Sequence, residues 1–403
     1  MTPKPFSCDI FCRVIDNYGD IGVCWRLARQ LAGEHGLAVR LWVDQPASLA
    51  RLCPEADATL PRQCLHGVEV CRWSDPFPAV PPASLVIEAF ACELPPAYIE
   101  AMATLAAPPA WINLEYLSAE PWVEGCHKLP SPHPRLPLTK YFFFPGFTNQ
   151  TGGLLREHDL LERRDAFHGD STGRQTFWSR LGMEMPAPDT LIISLFSYEN
   201  AALGELLDAW AGSEQPSLCL VPEGRILPQI GRYFGDDTPH AGSRYTRGRL
   251  RVRVLPFLAQ DRYDELLWAC DVNFVRGEDS FVRAQWAGRP FIWQIYPQQD
   301  AVHRHKLQAF LERYGAHLNT VETTAGDGSP ATSALTRLWL AWNGESGIRP
   351  AWTGFAAVRA ALQPLTQDWP RAQAANNLAL NLLSFFQEIC RLRGFESKKG
   401  NLI

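Results

Sequence analysis

Residues 8–34, CDIFCRVIDNYGDIGVCWRLARQLAGE, decide the fold that the sequence predicts. The apolar run 8–15 is typical of a buried strand, and the apolar positions of 21–34 recur with the spacing of one helix face. The short loop DNYGDIG, 16–22, joins them. A strand, a tight loop and a helix in this order form the first half of a parallel βαβ unit.

The same alternation continues along the chain. Further strands are predicted at 39–43, 68–73, 84–90, 110–117, 190–198, 216–222, 250–257, 271–275 and 290–296. Helices are predicted at 46–53, 95–106, 200–211, 261–270, 279–287, 301–314, 327–343 and 367–393. Five prolines in the stretch 129–148 deny it a regular helix or a central strand, and we expect the domain boundary there.

These patterns predict the α/β class, with two doubly wound, Rossmann-like parallel sheets facing a cleft. We expect domains at 1–148 and 149–366, and a C-terminal helix, 367–403, that packs back toward the first domain. Ligands of such sheets bind beyond the carboxyl ends of the strands. The loops that follow the strands are therefore where functional residues are expected.

The composition excludes several classes of function. A chain of 403 residues has room for two or three domains, and its net charge of −5 gives no overall signal for binding nucleic acid or an anionic membrane. The 11 cysteines lack CxxC spacing, and the first residues do not resemble a signal peptide. No apolar run approaches the roughly 20 residues that span a bilayer. We therefore expect a cytoplasmic protein without a membrane anchor.

The loop 16–22 combines glycines with two carboxylates. Gly19 and Gly22 allow a ligand to approach the backbone, although the loop lacks the GxGxxG pattern of dinucleotide binding. Asp16 and Asp20 have two readings that their spacing leaves open. They either form an Asx turn and a helix cap, or one of them is a general base at the strand end.

A second loop, RGEDS at 276–280, lies between a predicted strand and a predicted helix. Arg276, Ser280 and the helix amides are suited to bind phosphate. Glu278 and Asp279 either cap the helix or, in the case of Glu278, face a cationic or hydroxylated group instead of phosphate.

Aromatic residues accompany this loop at neighbouring strand ends. Phe196, Tyr198, Phe257 and Tyr263 either stack on a planar base or pack in the core. Their combination with the RGEDS loop favours a nucleotide ligand.

Several longer stretches resemble one protein family. They are DNYGDIG at 16–22, FACELP at 90–95, INLEYLSAE at 112–120, FFFPGF at 142–147, FSYEN at 196–200, LPFLAQDRYDELLW at 255–268 and RGEDSFVRAQWAGRPFIWQIYPQ at 276–298. Together they resemble EarP, the family of bacterial protein-arginine rhamnosyltransferases that act on elongation factor P. The resemblance runs from about Phe6 to the last long helix.

The resemblance implies a GT-B glycosyltransferase that inverts the anomeric centre without a metal ion or cofactor. It implies dTDP-β-L-rhamnose as donor and one arginine of elongation factor P as acceptor, a modification that activates this translation factor. Asp20 falls on the family's proposed general base, and Asp16 falls on a supporting carboxylate in the same loop. Glu278 falls in the phosphate and donor loop, and we expect it to aid Asp20 with the guanidinium or to orient the acceptor or the sugar. The positions assigned to donor binding are Asn17, Tyr18, Gly19, Phe196, Tyr198, Phe257, Gln260, Tyr263, Arg276, Gly277, Asp279 and Ser280.

Tyr263 departs from the pattern, since other members often carry Phe there. Stacking survives this change, but the hydroxyl needs a partner.

Two alternatives stay open from the sequence. One is a GT-B enzyme that uses another nucleotide sugar or a small-molecule acceptor. The other is a protein that binds the translation factor and has kept a nucleotide cleft without activity.

Overall fold

The computed structural model describes residues 6–15, 18–296, 302–321 and 329–393. Its strands are β1 (Ser7–Cys12), β2 (Ala38–Val43), β3 (Arg62–Leu65), β4 (Val68–Arg72), β5 (Leu85–Ala89), β6 (Ala110–Leu114), β7 (Pro130–Pro132), β8 (Thr139–Phe143), β9 (Leu191–Leu195), β10 (Ser217–Pro222), β11 (Arg244–Arg247), β12 (Leu250–Leu255), β13 (Val272–Arg276) and β14 (Phe291–Gln294).

The helices alternate with these strands. They are α1 (Gly19–Gly33), α2 (Pro46–Leu52), α3 (Pro96–Thr104), α4 (Trp122–Cys126), α5 (Leu160–Gly169), α6 (Ser171–Arg180), α7 (Leu203–Ala211), α8 (Leu227–Phe234), α9 (Gln260–Ala269), α10 (Asp279–Ala287), α11 (Val302–Val321), α12 (Pro330–Trp342), α13 (Ile348–Gln373) and α14 (Leu378–Leu392). Within the described ranges, no helix is both long and apolar enough to cross a membrane.

The chain divides into two compact units. Unit 1 runs to His158 and resumes at Gln373, and unit 2 is Asp159–Ala372. The first division lies ten residues after the predicted domain end at 148, and the second lies six residues after the predicted end at 366. In unit 1, α14 packs against α1 and β6.

Unit 1 is built on a sheet in the order β3-β4-β2-β1-β5-β6-β8-β7. The six inner strands are parallel, while the edge strands β3 and β7 run antiparallel to their neighbours. The central strand β1 is buried along most of its length, and α1 packs against β1 and β2. Because the strand order reverses between β1 and β5, the loops after these two strands lie at the point where ligands of such sheets bind.

The proline-rich stretch 129–148 contains two strands that the sequence did not predict. Pro130 and Pro132 belong to β7 at the sheet edge, where a missing amide is tolerated. The five residues of β8 contain no proline and pair in parallel with β6. The expectation that the prolines deny this stretch a central strand was wrong for β8, which lies between β6 and β7, because each proline restricts only its own position and the one before it.

Unit 2 is built on a second sheet, in the order β11-β12-β10-β9-β13-β14. All its strands are parallel except β11 at one edge. The order reverses between β9 and β13, so the loops after these strands occupy the corresponding position in unit 2.

The C-terminal part of the chain differs from the predicted single helix at 367–393. The structure has α13 up to Gln373 and a separate α14, whose first amides donate to the side chain of Asn377. Pro364 and Pro370 both lie inside α13. The prediction was wrong because Asn377, a strong helix cap, begins a new helix there.

Candidate active site

The carboxyl edge of the unit 1 sheet carries the candidate base. Asp20 lies in the first turn of α1 and is only 2% exposed. Its Oδ2 accepts the amide of Ile15 at 2.8 Å, and its Oδ1 accepts the hydroxyl of Tyr116 at 3.0 Å. Donors on both oxygens and the amino end of a helix favour an ionised carboxylate. A buried carboxylate of this kind is suited to hold a cationic group or to accept a proton.

The rest of the glycine-containing loop is described in part. Asp16 and Asn17 lie outside the described residues. Tyr18 is the N-cap residue of α1, and its carbonyl accepts the amide of Gly22 at 2.9 Å. Gly19 is the first residue of the helix. The predicted contacts of Tyr18 and Gly19 with a donor therefore stay predictions.

In unit 2, Arg276 ends β13 and is 3% exposed. Its guanidinium carbon lies 4.7 Å from the ring centroid of Phe196 and 4.7 Å from that of Tyr198. Both rings follow β9, the strand next to β13. The sequence left base stacking or core packing open for these two rings, and in the structure both contact the guanidinium. This contact holds a planar positive charge in one place.

The RGEDS loop closes on itself through a serine hydroxyl. Ser280 accepts the amide of Arg276 at 3.2 Å and donates to the carbonyl of the same residue. Gly277 between them has a φ of 63°, which favours glycine, and Glu278 is the N-cap residue of α10. Asp279 accepts a hydrogen bond from Gln260 at 3.1 Å. The amino end of α10 and Arg276 together supply positive potential at this loop.

Tyr263 and Phe257 are two further aromatic residues of unit 2 that the sequence analysis singled out. Tyr263 is 8% exposed, and its ring meets that of Phe196 edge-on at 5.5 Å. Burial raises the pKa of Tyr263 well above its usual range, so the hydroxyl stays protonated at neutral pH. Phe257 is half-buried and lies two residues beyond β12. The structure thus places Tyr263 against Phe196, whereas Phe257 follows β12, which β10 separates from β9 in the sheet.

Gln294 fixes the loop after β9 that carries Phe196 and Tyr198, and the sequence analysis did not identify this residue. This residue ends β14, where its Oε1 accepts the amide of Tyr198 at 2.9 Å and its Nε2 donates to the carbonyl of Glu199 at 3.2 Å. The signal in the sequence is one amide side chain in the apolar run 290–296. A buried amide in such a run has to find partners, and here it fixes the backbone beside Tyr198.

A buried ion pair holds the two helices that flank the same loop. Asp264 of α9 accepts two hydrogen bonds from Arg283 of α10, at 2.8 and 2.7 Å, and both side chains are 1% exposed. The bidentate geometry fixes the orientation of α10 relative to α9. Gln260 and the RGEDS loop lie at the amino ends of these two helices.

One group of potential metal ligands occurs within the described ranges. It consists of Cys53, Glu55 and His66, whose ligand atoms lie within 4.8 Å of one another. Cys53 and Glu55 follow α2, and His66 precedes β4, so the group lies at the amino edge of the unit 1 sheet. Asp20, in the first turn of α1, lies at the opposite, carboxyl edge of the same sheet.

Comparison with known proteins identifies a family. The model described as "Elongation-Factor P (EF-P) rhamnosyltransferase EarP" matches residues 8–387. The protein-arginine rhamnosyltransferase of Pseudomonas putida is 52% identical over 380 residues, which covers 94% of this chain and 98% of the relative. That of Pseudomonas aeruginosa is 51% identical over 385 residues, covering 95% of this chain and 99% of the relative.

Solved structures agree with this result. A structure described as the basis for EarP-mediated arginine glycosylation of translation elongation factor EF-P matches with a TM-score of 0.67 and 39% identity, covering 95% of this chain and 99% of that one. A glycosyltransferase from Rickettsia africae matches with a TM-score of 0.50 at 8% identity, covering 96% and 100% of the two chains, which supports the fold alone. The predicted GT-B class, with two Rossmann-like sheets, is confirmed.

Proposed function

Because the chain belongs to the EarP family of elongation factor P rhamnosyltransferases, we propose that it transfers L-rhamnose from dTDP-β-L-rhamnose, with inversion, to one arginine of that factor. The enzyme is a protein-arginine rhamnosyltransferase. The donor, the stereochemistry and the residue roles are the proposed part. We place the reaction in the cytoplasm, where translation factors act, and expect the modification to activate the factor.

The acceptor chemistry requires a carboxylate. A guanidinium has a pKa above about 12, and its delocalised charge makes its nitrogens poor nucleophiles. We assign Asp20 to hold the guanidinium and to take the proton from the nitrogen that attacks C1 of the sugar. Asp16 supports this carboxylate in the proposal, and Glu278 orients the acceptor or the sugar. Correct positioning contributes as much as basicity, because a held nucleophile reacts at a high effective molarity.

The donor is assigned to unit 2. As the nitrogen forms its bond to C1, the bond from C1 to the diphosphate oxygen breaks and dTDP leaves with the bonding electrons. Arg276 and the amino end of α10, with Gly277 and Ser280 in the loop between them, are assigned to stabilise the developing negative charge. In this proposal, these groups stabilise the charge of the leaving diphosphate, as a metal ion does in other transferases.

The remaining donor contacts are also proposals. They comprise base stacking or edge contacts at the strand ends and polar contacts at the two loops, and the residues are Asn17, Tyr18, Gly19, Phe196, Tyr198, Phe257, Gln260, Tyr263 and Asp279. Competition of dTDP, UDP and GDP in a thermal-shift assay distinguishes the donors. The proposal predicts the largest stabilisation with dTDP, whereas equal stabilisation by all three nucleotides indicates another nucleotide sugar.

The observation that supports the base most strongly is the buried Asp20 carboxylate with a donor on each oxygen. We expect Asp20→Asn to bind dTDP as the wild type does and to lose turnover, because the amide keeps an acceptor oxygen but cannot take a proton. The assay is mass spectrometry of elongation factor P after incubation with dTDP-rhamnose. The wild type should add one deoxyhexose.

Asp44→Asn is the matched control. Asp44 accepts the amide of Val14 at 3.0 Å, two residues from the end of β1, and asparagine keeps that acceptor. This variant should retain wild-type turnover. Full activity of Asp20→Asn would remove Asp20 from the role of base, and absence of any sugar addition by the wild type would refute the proposed reaction.

A further inference from the structure

The loop after β5 has an unusual backbone conformation. Phe90, Ala91 and Glu93 all have positive φ, between 53° and 56°, a region that few residues other than glycine adopt. Two buried side chains hold them there. Glu88 accepts the amide of Glu93 at 3.2 Å, and Asn113 accepts the amide of Ala91 at 3.1 Å. Buried polar side chains thus fix a conformation that the backbone alone disfavours.

This loop conformation places one aromatic ring on another. The ring of Phe90 stacks on that of Tyr116, with centroids 4.4 Å apart and an interplanar angle of 15°. Phe90 is itself buried, at 7% exposure, and Tyr116 lies two residues beyond β6. The stack restricts the rotation of the Tyr116 ring and thereby fixes the position of its hydroxyl.

The hydroxyl of Tyr116 is the group that reaches the candidate base. It donates to Oδ1 of Asp20 at 3.0 Å, while the amide of Ile15 donates to Oδ2 at 2.8 Å. A single donor leaves a carboxylate free to rotate about the Cβ–Cγ bond, whereas donors on both oxygens define its plane. The backbone amide of Ile15 holds one carboxylate oxygen in this way, and the hydroxyl of Tyr116 holds the other.

We propose that Tyr116 is a positioning residue for Asp20 and that Phe90 holds it in place. The proposal rests on the assignment of Asp20 as the base. The phenol aligns the carboxylate plane so that an incoming guanidinium meets it in one orientation. The same hydrogen bond favours the ionised form of the carboxylate. It therefore improves the alignment of Asp20 and lowers its basicity.

The test is Tyr116→Phe in the full-length enzyme, which removes the hydroxyl but keeps the ring and its stack on Phe90. We expect kcat at the pH optimum to fall about tenfold, as for the loss of one hydrogen bond to a charged group. The KM values for elongation factor P and for the donor should stay within twofold of the wild type, because the residue acts through Asp20. The acid limb of the kcat profile should move upward by about one pH unit, since one donor to the ionised carboxylate is lost.

The chain offers a matched control in unit 2. Tyr245 stacks on Phe234, with centroids 4.7 Å apart and an interplanar angle of 6°, and donates to Asp236 at 2.6 Å. Tyr245→Phe therefore removes the same hydroxyl from the same kind of aromatic and carboxylate group. We expect this control to leave kcat, KM and the pH profile unchanged.

A second variant and melting temperatures show whether a folding defect, and not lost positioning, lowers kcat. Phe90→Leu keeps an apolar side chain but removes the stacked ring, and it should lower kcat and move the acid limb in the same direction as Tyr116→Phe. Melting temperatures of all variants are measured beside the kinetics. If Tyr116→Phe has wild-type kcat and an unshifted acid limb, or if only KM changes, the positioning role is wrong.

The two proposals fail in different ways. If Asp20→Asn is inactive while Tyr116→Phe behaves as the wild type, only the positioning role is refuted. If Asp20→Asn retains full turnover, the base assignment fails and the role of Tyr116 fails with it.

Discussion

Replacement of Arg276 by lysine would keep the positive charge at the end of β13 but remove the planar guanidinium. The guanidinium lies 4.7 Å from the ring centroids of both Phe196 and Tyr198 and is almost fully buried. A contact of this kind is worth about 0.5–1 kcal/mol when exposed and about 2 kcal/mol when desolvated. Two desolvated contacts of this kind together contribute on the order of 4 kcal/mol, of which lysine recovers a part.

These contacts affect nucleotide binding because they order the guanidinium before a ligand arrives. A lysine side chain at this position would have to be ordered on binding, and an ammonium does not match a diphosphate in a bidentate way. We expect Arg276→Lys to weaken dTDP binding by about 1–2 kcal/mol, which raises Kd about five- to thirtyfold. Isothermal titration calorimetry with dTDP at fixed ionic strength measures this change.

Arg247→Lys provides the control for this measurement. Arg247 lies 4.8 Å from the ring centroid of Tyr233 and is exposed, so the same substitution removes an arginine–tyrosine contact at β11. It should leave Kd unchanged. A Kd for Arg276→Lys within twofold of the wild type, or an equal increase in both variants, would refute the assignment of Arg276 to the nucleotide.

Two further predictions concern stability. Asp264→Ala should lower the free energy of unfolding by about 3–5 kcal/mol in urea titrations, because it leaves Arg283 buried without its carboxylate; Asp264→Leu combined with Arg283→Met should lose clearly less. Burial lowers the pKa of His127 to about 4, and the neutral ring accepts the amide of Phe144 at 3.1 Å. The unfolded chain, with a histidine pKa near 6.5, binds more protons between pH 4 and 6.5, so stability is lost as the pH falls through this window. His127→Gln should flatten this loss, and equal slopes for both proteins would contradict the reasoning.

Much of the fold could be predicted from the sequence because both sheets consist of short apolar runs. Parallel strands are covered on both faces, so their residues are apolar without alternation and stand out from the amphipathic helices. The predicted strands at 39–43 and 68–73 agree with β2 and β4 to within one residue at each end. The antiparallel edge strands β3 and β7 were missed, since edge strands are half-exposed and lack this signal.

The sequence predicted only part of the candidate site, because the rest depends on strand register and backbone conformation. Asp20 stands out because it lies at the amino end of the helix that follows β1, and Arg276 because it is a charged residue at the end of a buried strand. The contact between Phe90 and Tyr116 depends on the pairing of Ala89 with Leu114 and on the left-handed turn after β5. Neither the register of two strands nor a positive φ at a residue other than glycine can be read from residue types.

The two units share one way of holding a buried charge. In unit 1, a tyrosine after β6 stacks on a phenylalanine after β5 and donates to Asp20. In unit 2, a phenylalanine and a tyrosine after β9 contact Arg276 at the end of β13. A buried ion needs fixed partners to offset its lost hydration, and a rigid ring loses little entropy when it supplies one. Both charges are therefore oriented before any ligand binds, which is the property that a transferase needs where charge develops during the reaction.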